Sequence, residues 1–411
     1  MKFKNLILIL FTIILIGIMW QKSTDNDINK IFNTNTEYSI NEQIINTSIV
    51  NFKYSDNEIS DTVKKFNIIE IKCVDIKSQV PFGYVEPDAI IVYNFIENKF
   101  QLIEIKTGNM KDLYILQNGQ RAVSYKYDNS SIVWAEDGEI EMNNIIGKNW
   151  GIYCYNILTG EILEIEKENE LTTPPDRGYC ATPNIFDFKD DYVAYILRQN
   201  YKSSEYSLLK LYDVKTKETL IVDSLEFNEY VWFSIPSISN ENLVYSVSNA
   251  QPETFREFGE IYIYDIENKQ KNKLETDINV LCPLVYNDYI ICRLKPNGEN
   301  ENSEIYVYNI SKNEWQARIS NTNPLYDDYI VKPFELINLE IDNNMFIWDE
   351  TTYGMALGIF DLEEFEMYPI ITRNMDRYII KIMFNNKMLL WNEYKYGDDR
   401  EYNGMKGIIF E

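Results

Sequence analysis

Three arginines and four aromatic residues have the clearest potential for ligand chemistry. The arginines fall in predicted connections between strands, in a chain with 64 acidic against 39 basic side chains and a net charge of −25. A guanidinium group binds a carboxylate through paired hydrogen bonds and stacks on aromatic or sugar rings. The candidate ligand-binding residues are Arg177, Tyr179, Tyr230, Trp232, Arg373, Arg377 and Tyr378. The alternative interpretation is that the arginines form ordinary surface salt bridges.

Composition excludes several kinds of catalytic site. The chain has no histidine, which removes Ser-His-Asp triads, Cys-His dyads and His-ligated metal sites. The G-x-S-x-G elbow and the Gly-rich phosphate loops are missing as well. The acidic stretches after Trp134 and around Asp398 and Asp399 do not match the spacing of a calcium loop. We therefore assign no catalytic residue, no metal and no cofactor, and the negative charge argues against a nucleic-acid partner.

A pair of carboxylates is the catalytic arrangement that these exclusions leave open. Glycoside hydrolysis needs two acidic side chains about 5 to 9.5 Å apart. With 64 acidic residues, the sequence does not single out a pair. A carboxylate-dependent, glycan-active enzyme therefore stays as an alternative function.

The N-terminus has the pattern of an export signal or membrane anchor. Lys2 and Lys4 flank the start of an uncharged apolar run over residues 6–20. The following stretch lacks a small-x-small cleavage pattern, which favours a retained signal-anchor over residues 1–22. We expect a polar tether over residues 23–37, a folded domain over residues 38–411, and a single-pass cytoplasmic-membrane protein with that domain on the extracytoplasmic side. Secretion after signal cleavage is the alternative.

A phrase of alternating apolar residues, ending in an aromatic residue and then Asn or Asp in most copies, recurs along the chain. Copies include IIVYN, EIYIYD and EIYVYN. The short polar side chain can accept hydrogen bonds from backbone amides two residues on and so begin a tight turn. These structural turn residues are Asn94, Asn156, Asp213, Asp265, Asn309 and Asp361. Their separations of 44 to 62 residues are typical of propeller blades.

A second phrase, an Asn/Asp pair followed by an apolar run, precedes most copies of the first. KDDYVAY and DNNMFIW are examples, and such pairs indicate hairpin turns because both residues tolerate positive φ. Each repeat thus holds two hairpins, or four antiparallel strands, which is the make-up of a propeller blade. A β-sandwich is the main competitor, but it does not predict a recurring four-strand unit.

These repeats predict an all-β fold, a β-propeller of about seven four-stranded antiparallel blades, with a single N-terminal hydrophobic anchor helix. Six or eight blades are possible. The final stretch GMKGIIFE matches a third strand, and we expect an N-terminal strand within residues 37–52 to close the last blade. Residues 66–76 are assigned to a strand of the first blade. Turns A–B and C–D are shorter than connections B–C and D–A, which places the candidate ligand-binding residues on one long-loop face.

The repeated third strand, with its Asx turn and the apolar second strand before it, resembles the TolB-like and dipeptidyl-peptidase-type propeller repeats from about residue 68 onward. This chain has Asn/Asp pairs where that superfamily has a Ser-Pro-Asp-Gly turn. The resemblance implies a propeller fold and a range of functions that includes binding scaffolds, accessory domains of peptidases and enzymes.

The sequence favours a non-enzymatic binding or scaffold module. We expect its long-loop face to take a protein, peptide or glycan. The glycan-active enzyme is one alternative, and a structural subunit of an envelope assembly is another.

Overall fold

The computed structural model describes residues 48–51 and 68–410, apart from 118–119, 138–149, 169–185, 202–203, 229, 251–256, 277, 295–303, 321–335, 351–355, 372–376 and 396–401. The expected anchor (1–22) and tether (23–37) lie outside these residues. The described chain is all β, beginning with β1 (Ser48–Asn51) and β2 (Ile68–Ile71). Within it, no helix has the length and apolar character needed to span a bilayer.

Seven antiparallel sheets, each with four strand positions, form the blades. We letter the positions A to D from the centre outward. Blade 1 contains β3 (Gln79–Val85), β4 (Ala89–Asn94), β5 (Lys99–Glu104) and β6 (Met110–Ile115). Blade 2 contains β7 (Arg121–Asp128), β8 (Ser131–Asp137), β9 (Gly151–Asn156) and β10 (Ile162–Lys167). Blade 3 contains β11 (Phe186–Lys189), β12 (Tyr192–Tyr201), β13 (Ser204–Asp213) and β14 (Glu218–Glu226).

Strand A of blade 4 is interrupted, and the remaining blades follow the same plan. Blade 4 contains β15 (Val231–Phe233) and β16 (Ser237–Ile238) at position A, then β17 (Asn242–Ala250), β18 (Glu257–Asp265) and β19 (Gln270–Lys273). Blade 5 contains β20 (Val280–Tyr286), β21 (Tyr289–Leu294), β22 (Glu304–Asn309) and β23 (Glu314–Ser320). Blade 6 contains β24 (Leu336–Asp342), β25 (Met345–Glu350), β26 (Ala356–Asp361) and β27 (Glu366–Ile371). Blade 7 contains β28 (Arg377–Asn385), β29 (Met388–Lys395), β30 (Tyr402–Ile409) and, at position D, β2.

The blades form a closed ring. Each strand A contacts the strand A of the next blade, and β28 of blade 7 contacts β3 of blade 1. An apolar cluster fills each of the seven junctions between neighbouring blades. In the cluster between blades 1 and 2, for example, Phe100 lies 5.3 Å from Trp134, measured between ring centroids. Apolar residues on both faces of a strand are therefore buried by sheet-on-sheet packing.

An N-terminal strand closes the last blade, but it is not the expected one. The strand is β2, which pairs antiparallel with β30 and places Ile71 opposite Met405. The assignment of closure to residues 37–52 is wrong, because β1 in that stretch pairs in parallel with β23 at the outer edge of blade 5. The physical reason is continuity, since residues 72–78 lead from β2 directly into β3, as a D–A connection does elsewhere in the ring.

The predicted Asx hydrogen bonds are present in all six turns. In each turn the side-chain oxygen accepts the backbone N–H two or three residues on, for Asn94, Asn156, Asp213, Asp265, Asn309 and Asp361. Asn94 differs in place, because it ends strand B of its blade whereas the other five end strand C. The C–D turn of blade 1 instead follows Glu104, whose carbonyl accepts the N–H of Gly108 at 2.8 Å.

Candidate functional site

The described candidate ligand-binding residues lie at the long-loop edge of two blades. Tyr230 is exposed in the connection before β15, and Trp232 lies within β15, paired with Ser248. Arg377 and Tyr378 are the first residues of β28. Three of these four therefore belong to inner strands and not to loops. Blades 4 and 7 are not neighbours in the ring, so the backbone does not bring the two pairs side by side.

The other three candidates, Arg177, Tyr179 and Arg373, lie outside the described residues. Their positions in the chain are between β10 and β11 and between β27 and β28, which are both D–A connections.

The opposite end of the central channel, where the A–B turns lie, has a network of partly buried charges. Lys189 Nζ lies 3.0 Å from Asp128 Oδ1 and 3.3 Å from Asp342 Oδ1. These residues end the inner strands of blades 3, 2 and 6, so the contact with Asp342 crosses the channel between blades that are not neighbours. Burial raises the pKa of the Asp128 carboxyl, and Lys189 opposes this shift. Burial opposes the charge on Lys189, but Asp342 and Asp128 outweigh it, and the pKa of Lys189 rises.

A second ion pair lies two residues earlier on the inner strands. Lys126 Nζ lies 2.5 Å from Asp187 Oδ1, and the other oxygen of Asp187 accepts the backbone N–H of Ile238 in blade 4 at 2.9 Å. Burial disfavours the charged form of Lys126, but Asp187 outweighs this effect and the pKa of the ammonium group rises. The charges of this pair are therefore satisfied within the fold.

Carboxylates of this network also join neighbouring blades through backbone hydrogen bonds. Asp128 of blade 2 accepts the N–H of Asp190 in blade 3 at 2.5 Å. Glu340 of blade 6 accepts the N–H of Phe384 in blade 7 at 3.1 Å, and Asp342 accepts that of Asn386. A carboxylate that accepts a backbone N–H across a junction holds the two blades in register. The geometry favours a structural role for these acids.

Four groups of side chains each contain an aromatic residue, a carboxylate that accepts its hydrogen bond, and a lysine or arginine beside that carboxylate. Between blades 2 and 3, the Tyr195 hydroxyl donates to Glu166 of blade 2 at 3.0 Å, and Lys210 of blade 3 lies 2.6 Å from the same oxygen. Tyr245 and Lys271 of blade 4 contact Asp223 of blade 3 in the same way, and the other two groups lie within one blade: Tyr306, Glu304 and Arg318 in blade 5, and Trp391, Glu393 and Lys406 in blade 7. In these four groups each negative charge has a cation of its own.

Blade 2 has the aromatic residue and the carboxylate but no such cation among the described residues. The Trp134 indole N–H donates to Glu136 Oε2 at 2.8 Å, and burial raises the pKa of the Glu136 carboxyl. Glu136 is absent from the sequence-based candidates. The signal that could have found it is the repeated Trp-x-Glu of strand B, which occurs as Trp134-x-Glu136, Trp348-x-Glu350 and Trp391-x-Glu393.

Comparisons with known proteins identify the fold. No family model matches the chain, and no curated protein sequence matches it. Its structure is similar to the β-propeller domain of the trilobed protease from Pyrococcus furiosus, with a TM-score of 0.51 and 12% identity over 82% of this chain and 95% of that one. It is similar to an oligogalacturonate lyase in complex with manganese, with a TM-score of 0.51 and 8% identity over 84% and 96% of the two chains. The fold is a seven-bladed β-propeller.

A third similar structure shows that this propeller fold also occurs within longer chains. An acylaminoacyl peptidase in complex with Z-Gly-Gly-Phe-chloromethyl ketone has a TM-score of 0.50 and 12% identity, and the match covers 81% of this propeller's chain but 51% of the peptidase. At such identities the likeness shows the fold alone.

The charged side chains of this propeller do not form a recognisable metal centre in the part that the structure describes. No three Cys, Asp or Glu side chains are placed there to hold a metal ion together. The acidic connection that contains Asp398 and Asp399 lies outside that part.

Proposed function

We propose that this propeller is a binding module that takes a protein, peptide or glycan at its long-loop face. The observation that carries the proposal is the difference between the two edges of the ring. At one edge, turns of two to five residues join A to B and C to D, and the ion network of Lys189 holds the inner strands together. At the other edge, connections reach the lengths of 138–150, 168–185 and 321–335. Binding residues gather on such loops when a rigid scaffold presents them.

The acids at the turn end of the channel do not provide a catalytic pair for glycan hydrolysis. A glycosidase needs two acids that face each other across the substrate, one of them available as a proton donor. At the turn end of the channel, Asp128, Asp187 and Asp342 each contact a lysine and also accept a backbone N–H. These three acids therefore have structural ion pairs and hydrogen bonds.

The membrane anchor and the extracytoplasmic location are part of the same proposal and rest on residues 1–22 of the sequence. After cell lysis and an alkaline wash, we expect the chain in the membrane pellet with its N-terminal peptide intact, as detected by mass spectrometry. A soluble chain that starts beyond residue 22 would instead support secretion.

The proposed face can be tested by capture from envelope extracts with the full-length, detergent-solubilised protein as bait. The test variant carries Arg177→Ala, Arg373→Ala and Arg377→Ala. A matched control removes three cations from C–D turns at the other edge, Lys217→Ala, Lys269→Ala and Lys312→Ala. We expect the arginine variant to lose the captured ligand and the lysine variant to keep it. Equal capture by both variants, or equal loss from both, would overturn the assignment of this face.

A further inference from the structure

Glu136 is a buried carboxylate close to the long-loop end of strand B in blade 2. Its residue surface is 5% exposed, and its one hydrogen bond within the described residues comes from the indole N–H of Trp134. The described residues supply no lysine or arginine to it. A buried carboxylate without a cation is unfavourable, because the desolvation of the charge is not compensated. A cation supplied by a ligand would therefore stabilise the charged form of Glu136.

In blade 7 the glutamate at the same position has a lysine partner. Trp391 and Glu393 occupy the places of Trp134 and Glu136 in strand B, and a glycine of strand C lies opposite each glutamate, Gly404 and Gly151 respectively. Opposite the tryptophan, strand C of blade 7 has Lys406, whose Nζ lies 2.9 Å from Glu393 Oε2. Strand C of blade 2 has Tyr153 at that place. The cation that balances Glu393 is therefore replaced by an aromatic ring beside Glu136.

The surroundings of Glu136 are aromatic, and the ring of Trp134 is fully buried. The ring of Tyr153 stacks on Trp134 with the centroids 5.6 Å apart, and Tyr114 from the outer strand of blade 1 lies 5.2 Å from Trp134. Both tyrosines are half-buried. Gly151 leaves the space that the Tyr153 ring occupies, since a Cβ there would lie 2.5 Å from Tyr153 Cε2. Glu136 contributes to the raised pKa of both tyrosines, after burial, which places its charge close to their rings.

We propose that Glu136, Tyr114 and Tyr153, packed around the buried Trp134, form a pocket that binds the ammonium group of a lysine side chain on a peptide or protein ligand. The Glu136 carboxylate would pair with the ligand ammonium as Glu393 pairs with Lys406 in blade 7, and the half-buried rings of Tyr114 and Tyr153 would add cation–π attraction. A lysine side chain fits because its stem is apolar and its charge is compact. This inference deepens the proposed binding function, but it uses a pocket separate from the arginine candidates.

The test measures binding of Nα-acetyl-L-lysine-N-methylamide to the full-length protein by isothermal titration. The norleucine analogue, which lacks the ammonium group, serves as the matched probe. We expect the lysine probe to bind and the norleucine probe to bind at least about tenfold more weakly, as for the loss of an ion pair to a buried carboxylate. Equal binding of the two probes, or no binding of the lysine probe, would overturn the proposal.

Two variants of blade 2 and one of blade 7 locate the binding. Glu136→Gln keeps an oxygen for the Trp134 indole and removes the charge, and Tyr153→Lys copies the internal ion pair of blade 7. We expect each to weaken binding of the lysine probe by about tenfold or more, while Glu393→Gln leaves it unchanged. Unchanged binding by Glu136→Gln would contradict the site. Thermal unfolding of each variant establishes that it is folded, and the probe assay does not depend on the arginine-face capture, so the two proposals can fail separately.

Discussion

Glu136 and Glu393 occupy equivalent places in strand B of blades 2 and 7, but within the described residues a lysine contacts only Glu393. Burial raises the pKa of the Glu136 carboxyl in the folded chain. The folded state then binds this proton more tightly than the unfolded state, so stability falls as the pH rises from the unfolded pKa through the folded pKa. The cost of the buried charge is therefore present at neutral pH and absent in acid.

The first prediction follows from this decrease of stability with rising pH. We expect Glu136→Gln to raise the free energy of unfolding at pH 8 by about 1 kcal/mol, because it removes the buried charge and keeps the hydrogen bond to Trp134. At pH 4 the difference from the native chain should be close to zero, since the native carboxyl is then protonated. Chemical denaturation at the two pH values measures both quantities, and a less stable variant at pH 8 would contradict the prediction.

The second prediction is that the same substitution in blade 7 has the opposite effect on stability. Glu393→Gln leaves Lys406, whose side chain is 27% exposed, without its carboxylate. We expect a loss of about 2 kcal/mol at pH 8, below the full cost for a completely buried pair because water still reaches the lysine. The same denaturation measurement applies. A change of the same sign in Glu136→Gln and Glu393→Gln would show that the lysine does not set the difference between the two sites.

At the scale of strands and turns, the hairpins were predictable because their chemistry is local. An Asn or Asp at an A–B turn reports a backbone with positive φ, and Asn129, Asp190, Asn287, Asn343 and Asn386 all have it. The sequence pattern places Asn94 at the end of strand C of blade 1, whereas it ends strand B. The pattern is misleading here because the C–D turn of blade 1 begins with Glu104, which has no Asx side chain. The signal for that turn was the Thr-Gly pair, since Thr107-Gly108 matches Thr159-Gly160 and both glycines have positive φ.

The closing strand could not be located from the sequence because strand pairing over the length of the chain is not a local property. Residues 37–52 and 66–76 both contain short apolar stretches, and either can supply four residues to an edge. What separates them is that β2 leads directly into β3 of the next blade, whereas β1 does not. Such a choice depends on the ring as a whole.

The third prediction compares these two N-terminal strands. Ile69→Pro with Glu70→Pro in β2 removes at least one N–H from the pairing with β30, because neighbouring residues of an antiparallel strand face alternately toward and away from the partner. We expect the midpoint of thermal unfolding to fall, because a lost ladder hydrogen bond costs about 1–3 kcal/mol when its partner is left unsatisfied. Ile49→Pro with Val50→Pro in β1 is the control, and we expect a small effect because β1 is an added fifth strand. A larger effect in β1 than in β2 would contradict this account of closure.

At the scale of the whole molecule, the sequence separated the two edges of the ring but not the contacts within it. The alternation of short and longer connections was sufficient to place Tyr230 and Arg377 at one edge. The pairing of Lys189 with Asp128 and Asp342 joins residues of blades 2, 3 and 6. No spacing in the sequence indicates it, because the contact exists only once the ring is closed. The replacement of Lys406 by Tyr153 in blade 2 is recognised only when the strand registers of blades 2 and 7 are compared.

The fourth prediction concerns the Lys189 network. Lys189→Met leaves Asp128 and Asp342 without their cation, and we expect the free energy of unfolding to fall by about 2 kcal/mol at pH 8. Burial already raises the pKa of Asp128 in the native ring, and loss of Lys189 raises it further, so the variant regains stability as the pH falls and the carboxyl protonates. Denaturation at pH 4.5 and pH 8 should therefore show a smaller loss in acid. Lys215→Met, which breaks an exposed pair with Asp191, is the control, and we expect a smaller loss than in Lys189→Met at pH 8 and little change with pH. A loss in Lys189→Met no larger than that of the control would show that the pairing across the channel does not stabilise the ring.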